Sequence, residues 1–272
     1  MNKNNLLQQV QADFDQAATG YAAVASVQHA NYLALLDRLA TCLLRHGDTR
    51  TGWAVDIGCG DGSGLSAGLA STKMQEAINC FQWFGLDVSL QMLKQISVPR
   101  LAPVQADAQR LPIASASMQC VISNFALHWL DQPDQGLREI NRVLCPSAIA
   151  CVSLPIATSL APLTQIWNHA GQASPLHQFP SRAKLKQVLN GFVSSTLEVS
   201  ERSIVLPFES SDCVITWLRQ TGARNITRTQ GRMRPSQYRQ IYQALDDWLA
   251  NGSRLTFEML DLCWLKSSNC SL

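Results

Sequence analysis

An α/β architecture around a largely parallel sheet is the expectation for this chain. Between residues 27 and 153, short apolar runs alternate with segments of helical period. Such alternation builds parallel sheets through right-handed crossovers. The first run empties into Gly58-Cys59-Gly60-Asp61-Gly62-Ser63-Gly64, and the second stops on Asp87.

The elements follow in order. Residues 27–46 carry Leu33, Leu36, Leu39 and Leu43 at helical spacing and end near Gly47. Trp53–Ile57 reads as a strand, with a helix beyond the glycines to about Ala70. Phe81–Leu86 is a second strand closed by Asp87, and Ser89 is placed to cap a short helix over Leu90–Ile96. Strands are expected at Pro103–Ala106 and Gln119–Ser123. A helix then opens with Pro133 in its first turn and carries Leu137, Ile140, Val143 and Leu144 on one face. The strand Ala148–Ser153 completes the alternation. Beyond Pro155, helices are expected at Leu160–His169, Ser181–Leu189, Ser211–Arg219 and Pro235–Leu249. Strands are expected at Thr196–Leu206 and Leu255–Leu265.

Composition narrows the function. The 272 residues are 46% hydrophobic and 15% charged, enough for a core and unlike a disordered chain. A net charge of +2 is too balanced for a nucleic-acid binder. Residues 1–150 hold 10 Lys/Arg against 12 Asp/Glu, and residues 151–272 hold 12 against 8, so the positive excess lies in the second half. The polar start Met1–Gln9 shows no secretory signal, and no run reaches the roughly 18 apolar residues of a membrane span. Nine cysteines, odd in number and without Cys-x-x-Cys pairs, read as buried reduced thiols of a cytoplasmic protein. His29, His46, His169 and His177 have no ligand spacing, so no metal is expected.

A strand that turns through alternating glycines into a helix is a nucleotide-type cradle: the backbone approaches the ligand and the helix start offers free N–H groups. The dinucleotide pattern Gly-x-Gly-x-x-Gly fails here, because counting from Gly58 or Gly60 puts Ser63 or Leu65 in third place. A P-loop is excluded, since no Gly-Lys-Ser/Thr occurs.

The segment Val55-Asp56-Ile57-Gly58-Cys59-Gly60-Asp61-Gly62 resembles motif I of class I S-adenosylmethionine-dependent methyltransferases. That resemblance implies a Rossmann-like, mostly parallel seven-stranded sheet with helices on both faces. It also implies that Asp56, Gly58, Cys59 and Gly60 cradle S-adenosylmethionine. Asp87, with Val88, would accept the ribose hydroxyls; Asp107, with Ala108, the adenine amino group; Asn124 would face the methionine part. Each has a plainer reading alone, as turn glycines, a helix cap, a loop carboxylate and a strand end. Their order along the chain favours the cofactor.

Further segments resemble malonyl-[acyl-carrier protein] O-methyltransferases of biotin synthesis. Phe14-Asp15-x-Ala17-Ala18-x-x-Tyr21 with Gln28 is similar to that family's lid. Ser123-Asn124-Phe125-Ala126-Leu127-His128-Trp129, Leu218–Ala223 and Leu255-Thr256-Phe257-Glu258 also match in order. The resemblance implies one domain: a helical lid (1–50), a cofactor core (51–153), and substrate-side insertions with the final strands (154–272). The family often has Gln at His128, Asn-Arg-Phe where this chain has His177-Gln178-Phe179, and Gly-Ile-Gly-Ala where it has Gln220–Ala223. The cation that grips the acceptor is therefore open.

The implied chemistry is methyl transfer to the carboxylate of a malonyl thioester, already ionised at neutral pH and needing no general base. Tyr21, Gln28, His128 and Trp129 are the expected substrate contacts, with packing as the plainer role for His128 and Trp129. Six arginines between Arg219 and Arg239, with no acidic residue among them, form either a solvated basic face or a dock for an acidic carrier protein. Arg224, Arg228, Arg232 and Arg234, with Arg182 and Lys184, are the expected docking residues; carrier protein and coenzyme A both remain open. Two other readings stand beside this one: a methyltransferase for another small acid or ring, and a non-catalytic assembly factor of the same fold.

Overall fold

The computed structural model describes residues 3–45, 51–71, 75, 78–174, 176, 178–191, 197–220 and 234–267. Helices α1 (Lys3–Ala17) and α2 (Tyr21–Val24) lead into α3 (Ser26–Arg45). The alternating part runs β1 (Gly52–Ile57), α4 (Ser63–Leu69), β2 (Phe81–Asp87), α5 (Leu90–Leu93), β3 (Leu101–Gln105) and β4 (Met118–Asn124). A 3-10 turn at Leu127–Trp129, α6 (Pro133–Val143) and β5 (Leu144–Pro155) follow. Then come α7 (Ala161–His169), α8 (Arg182–Asn190), β6 (Glu198–Leu206), α9 (Ser211–Gln220), α10 (Pro235–Ala250) and β7 (Leu255–Leu265).

The strands form one seven-stranded sheet in the order β3-β2-β1-β4-β5-β7-β6. The first five are parallel, and β7 runs antiparallel to both its neighbours. Burial explains why the last strand slips inside the sixth. Residues 259–264 of β7 are buried without a break, which suits a strand covered on both faces, whereas β6 alternates and is half exposed, which suits an edge. Pro103 lies on the opposite edge strand, β3, where a missing N–H is tolerated.

Two layers of helices cover the sheet. Tyr32, Leu35, Leu36 and Leu39 of α3, three or four residues apart, pack on Ala54, Trp83, Cys120 and Ile122. On the other face, Leu137, Ile140 and Val143 of α6 meet Val55, Val121, Ala150 and Val152. Each fully buried leucine of this kind contributes about 1.5–3 kcal/mol. Pro133 begins α6 as expected, with Asp134 in its first turn and Arg142 in its last, matching the helix dipole. A third cluster, with Leu163, Trp167, Val214, Trp217, Ile241 and Phe257, joins α7, α9 and α10 to the outer strands.

The expected elements differ from the observed ones mainly at their ends. Leu33 is only half-buried, because the buried face of α3 runs through its neighbours Tyr32 and Leu35 instead. Ser89 does cap α5, accepting from the Met92 N–H at 3.1 Å, but the helix stops at Leu93, where the chain tightens into a turn closed by Ile96 N–H to Leu93 O at 3.2 Å. Strand β5 starts at Leu144, four residues ahead of the expected Ala148. Cys42, Cys120, Cys151 and Cys263 are buried and outside any disulfide, whereas Cys59, Cys80 and Cys145 are half-buried and Cys213 is exposed, so burial as expected holds for only part of the cysteines. Among the described residues no helix is long and apolar enough to cross a membrane.

Candidate active site

The carboxyl ends of β1, β2 and β4 open into a cavity. Three glycines, Gly58, Gly60 and Gly62, follow β1, and all three have left-handed φ. Gly58 has φ +73°, and a Cβ on it would stand 2.1 Å from the Ala126 Cβ. Gly60 has φ +57°, and beyond its Cα only the Tyr21 ring, 3.8 Å from an ideal Cβ, comes near. Left-handed backbone favours a residue without a side chain. The bare turn is thus open toward the cavity, whose wall includes Gly58, Gly60, Asp87, Asp107 and Asn124.

The acidic side chains are already engaged. Asp87 Oδ2 accepts from the Gly60 N–H at 2.9 Å, and Oδ1 from the Ser89 N–H at 2.8 Å. Burial raises its carboxyl above the usual range, against the pull of these backbone N–H groups. Asp107 Oδ1 accepts from the Gln109 N–H at 2.9 Å. Val88 and Ala108 line the wall beside them. Asp56 and Cys59 do not. Asp56 lies 1% exposed beneath the turn, accepting the Tyr32 hydroxyl at 2.7 Å. The Cys59 thiol packs against the bare Cα side of Gly85, 2.8 Å from an ideal Cβ there, and burial holds it protonated.

Asn124 ends β4 and faces α3: its Oδ1 accepts from Asn31 Nδ2 at 2.5 Å and its Nδ2 donates to the Gln28 carbonyl at 3.0 Å. The next residue, Phe125, has φ +50°, a left-handed conformation that a bulky side chain seldom adopts. Its N–H is held by Ser153 O at 2.9 Å, so the strained turn is tied to β5 and swings the ring over the sheet end.

A second, adjoining chamber shares Phe14, Tyr21, Phe125 and Trp129 with the first. Gln28, His128, Phe179, Trp217 and Phe257 complete it. The rings meet edge-on or tilted: Phe14 and Trp129 at 5.6 Å, Phe125 and Phe257 at 5.2 Å, His128 and Phe179 at 5.5 Å. Among the described residues lining it none is Lys or Arg. Gln28 Oε1 is buried without a hydrogen-bond partner. Burial, with the charges of Asp61 and Asp87, raises the Tyr21 phenol far above its normal value, so it stays protonated at any working pH.

Helix α1 is fastened at its other end. Asp15 Oδ1 accepts from Ser89 Oγ at 2.6 Å and from the Gln91 N–H at 3.1 Å, anchoring α1 at the start of α5. Sequence reasoning noted Asp15 without giving it this role, and missed Trp217 altogether. The apolar face Val214, Trp217, Leu218 was the signal available for Trp217, but it reads equally as core.

Arg182 pairs with Glu201 at 2.6 Å and Lys184 with Asp134 at 3.8 Å. Arg234 is exposed at the start of α10. Arg224, Arg228 and Arg232 lie outside the described residues.

Sheet order, glycine cradle and acidic wall define the class: this is a class I S-adenosylmethionine-dependent methyltransferase. Residues 55–152 match the family described as "Methyltransferase domain". YcgJ of Bacillus subtilis shares the fold, with a TM-score of 0.53 at 17% identity over 85% of this chain and 99% of that one. The malonyl-[acyl-carrier protein] O-methyltransferase of Laribacter hongkongensis is 32% identical over 271 residues, covering 92% of this chain and 86% of the relative. That of Alcanivorax borkumensis is 30% identical over 230 residues, covering 82% and 73%. The chain belongs to the malonyl-[acyl-carrier protein] O-methyltransferase family.

Proposed function

We propose that the protein methylates the free carboxylate of a malonyl thioester, borne by an acyl-carrier protein, as an early step of biotin synthesis. One observation carries this reading. Kinship to enzymes of that name spans 92% of the chain, well past the generic domain at 55–152. The acceptor chamber is built largely from outside that domain, by Phe14, Tyr21 and Gln28 before it and Phe179, Trp217 and Phe257 after it. In this reading residues 1–50 are the lid, 51–153 hold the cofactor, and 154–272 complete the acceptor side.

The first cavity suits S-adenosylmethionine. Its open glycine turn would admit a chain close to the backbone, its two carboxylates would serve as acceptors for hydroxyl and amino groups, and Met92, Leu130 and Ala106 offer apolar walls for a base. Asp87 would hold the ribose, Asp107 the adenine, and Asn124 the methionine end. Bound there, the cofactor supplies an electrophilic methyl on a positively charged sulfur.

The residues of this chain then have orientation and water exclusion as their work. A malonyl carboxylate has lost its proton well below pH 7, so no side chain has to remove one. Aromatic walls strip water from that carboxylate and lower the local dielectric, which favours any step that cancels opposite charges. In this reading the Gln28 amide NH2 and His128 would donate to the acceptor, and the un-ionised Tyr21 lies over Gly60. Held in line, the two reactants meet without the entropy cost of a collision. Arg182, Lys184, Arg224, Arg228, Arg232 and Arg234 are proposed as the basic surface for the acidic carrier, whose complementary charge would speed association.

The test is product analysis with labelled cofactor on malonyl-carrier protein, malonyl-coenzyme A and free small acids. A labelled methyl ester on the malonyl thioesters is expected. Label found only on another acid, or on none, would overturn the reading.

A further inference from the structure

From the cavity wall at Asn124, a row of polar side chains crosses the sheet interior at one level. Asn124 on β4 is in register with Ser153 on β5, Ser153 with Asp261 on β7, and Asp261 with Ser200 on β6. Directly paired strand residues share a face, so the row is continuous over four strands. Helix α3 lies across it. Asn31 and Arg38, seven residues apart and therefore on one side of the helix, reach down to the row. Arg202, two residues beyond Ser200 on β6, reaches in from the edge.

The bonds have a fixed direction. Arg202 Nε donates to Asp261 Oδ2 at 2.6 Å, and another guanidinium nitrogen donates to Asn31 Oδ1. Arg38 donates to Ser200 Oγ and stands 4.0 Å from the same carboxylate. A guanidinium can only donate, so the Asn31 oxygen must face it and the Asn31 nitrogen must face the other way. That nitrogen donates to Asn124 Oδ1 at 2.5 Å and to Ser153 Oγ at 2.9 Å, and the Ser153 hydroxyl passes its own proton to Asp261 Oδ1 at 2.5 Å. With its oxygen claimed, Asn124 has only its NH2 left to turn toward Gln28 O.

Asn31 and Ser153 are 1% exposed and Asp261 2%. A buried ionic row of this kind can often be replaced by apolar side chains at no loss of stability, so stability alone does not account for it. What the row does possess is one end at the cavity wall, Asn124.

We propose that Arg202 and Asp261 are a positioning pair: through Asn31 they set the amide of Asn124 and hold helix α3 in register with the cofactor cavity. The proposal rests on the reading of that cavity as the S-adenosylmethionine site, and its test separates the two. The double variant Arg202→Met with Asp261→Leu removes both charges together and leaves neither buried alone. Its circular dichroism should stay that of the parent, while its affinity for S-adenosylmethionine, measured by calorimetry, should fall about tenfold. In an Asn124→Ala background the same double change should cost nothing further, since sites acting as one unit are not additive. Should the double variant fold poorly, Arg202→Lys keeps the charge beside Asp261 but lacks the fork that reaches Asn31, and the same loss is expected. Unaltered affinity in a folded variant, or a loss that simply adds to that of Asn124→Ala, would overturn the proposal. If the parent itself bound no S-adenosylmethionine, the cofactor reading would fail first. The side-chain amide signals of Asn124 in the cofactor-free protein would still decide the pair's role, because they must move in either variant.

Discussion

Tyr32 of helix α3 donates its hydroxyl proton to Asp56 at the end of strand β1, 2.7 Å away, beneath the glycine turn. Burial, the largest influence, pushes the Asp56 carboxyl up to about 7; the Tyr32 bond opposes this and the Asp87 charge adds to it. An unfolded aspartate titrates near 4, so the folded value is the higher one. Its stabilising contribution is therefore complete below about pH 4 and is lost as pH rises through 7. Asp56→Asn keeps an acceptor for Tyr32 but has no charge to bury. Relative to the parent, the variant should gain about 2 kcal/mol between pH 5 and pH 7 and change little above that. Parallel stability curves from denaturant melts at the two pH values would show that Asp56 is ionised in the fold throughout.

Asp87→Ala removes the carboxylate that joins the Gly60 and Ser89 N–H groups and faces the cavity. Two charge-assisted bonds to a ribose are each worth about 1.5–3 kcal/mol. Cofactor affinity should drop at least tenfold in a variant whose circular dichroism is that of the parent. Equal affinity would place Asp87 outside the site.

Tyr21→Ala opens the roof over Gly60 and removes an edge-on partner of Phe14, whose ring lies 6.2 Å away. Elements that close on substrate govern turnover more than cofactor affinity. The expected result is a large fall in kcat with a change in cofactor Kd of less than about threefold. A normal kcat would reduce Tyr21 to packing.

Asp15→Ala releases helix α1 where Ser89 and Gln91 now hold it. Loss of hydrogen bonds to a charged group costs about 1.5–3 kcal/mol, enough to raise the open population more than tenfold. Amides of α1 should exchange faster with solvent while those of β1 and β4 keep their protection. Uniform acceleration across the sheet would mean global destabilisation and no latch.

Arg228→Glu with Arg232→Glu tests the basic segment. The apparent KM for a carrier-bound malonyl substrate should rise and become less salt-sensitive, with a small malonyl thioester turned over almost normally. Equal loss on both substrates would point to the pocket or to misfolding.

Much of the core was written in local signals. A run of β-branched and apolar residues ending in Gly58, a proline at the first turn of α6, and a serine before Leu90 each act over a few residues, and each produced its element. The methyltransferase class was legible for the same reason: its cradle is contiguous in the chain, Asp87 and Asn124 close strands, and Asp107 comes two residues after one.

Tertiary structure alone decided what depends on distant partners. Nothing near Leu255–Leu265 states that this strand enters between β5 and β6; unbroken burial on both faces decides it. The second chamber joins Phe14 to Phe257 across nearly the whole chain, and each of its aromatic residues alone reads as core. Arg182 and Lys184 looked like free positive charge until Glu201 and Asp134 came beside them. The polar row from Arg202 to Asn124 was likewise invisible, because Asn31, Ser153 and Asp261 sit singly inside apolar segments. Helix and turn preferences are set by neighbours in sequence, whereas a charge or an amide takes its meaning from whatever the closed fold places within 3 Å of it.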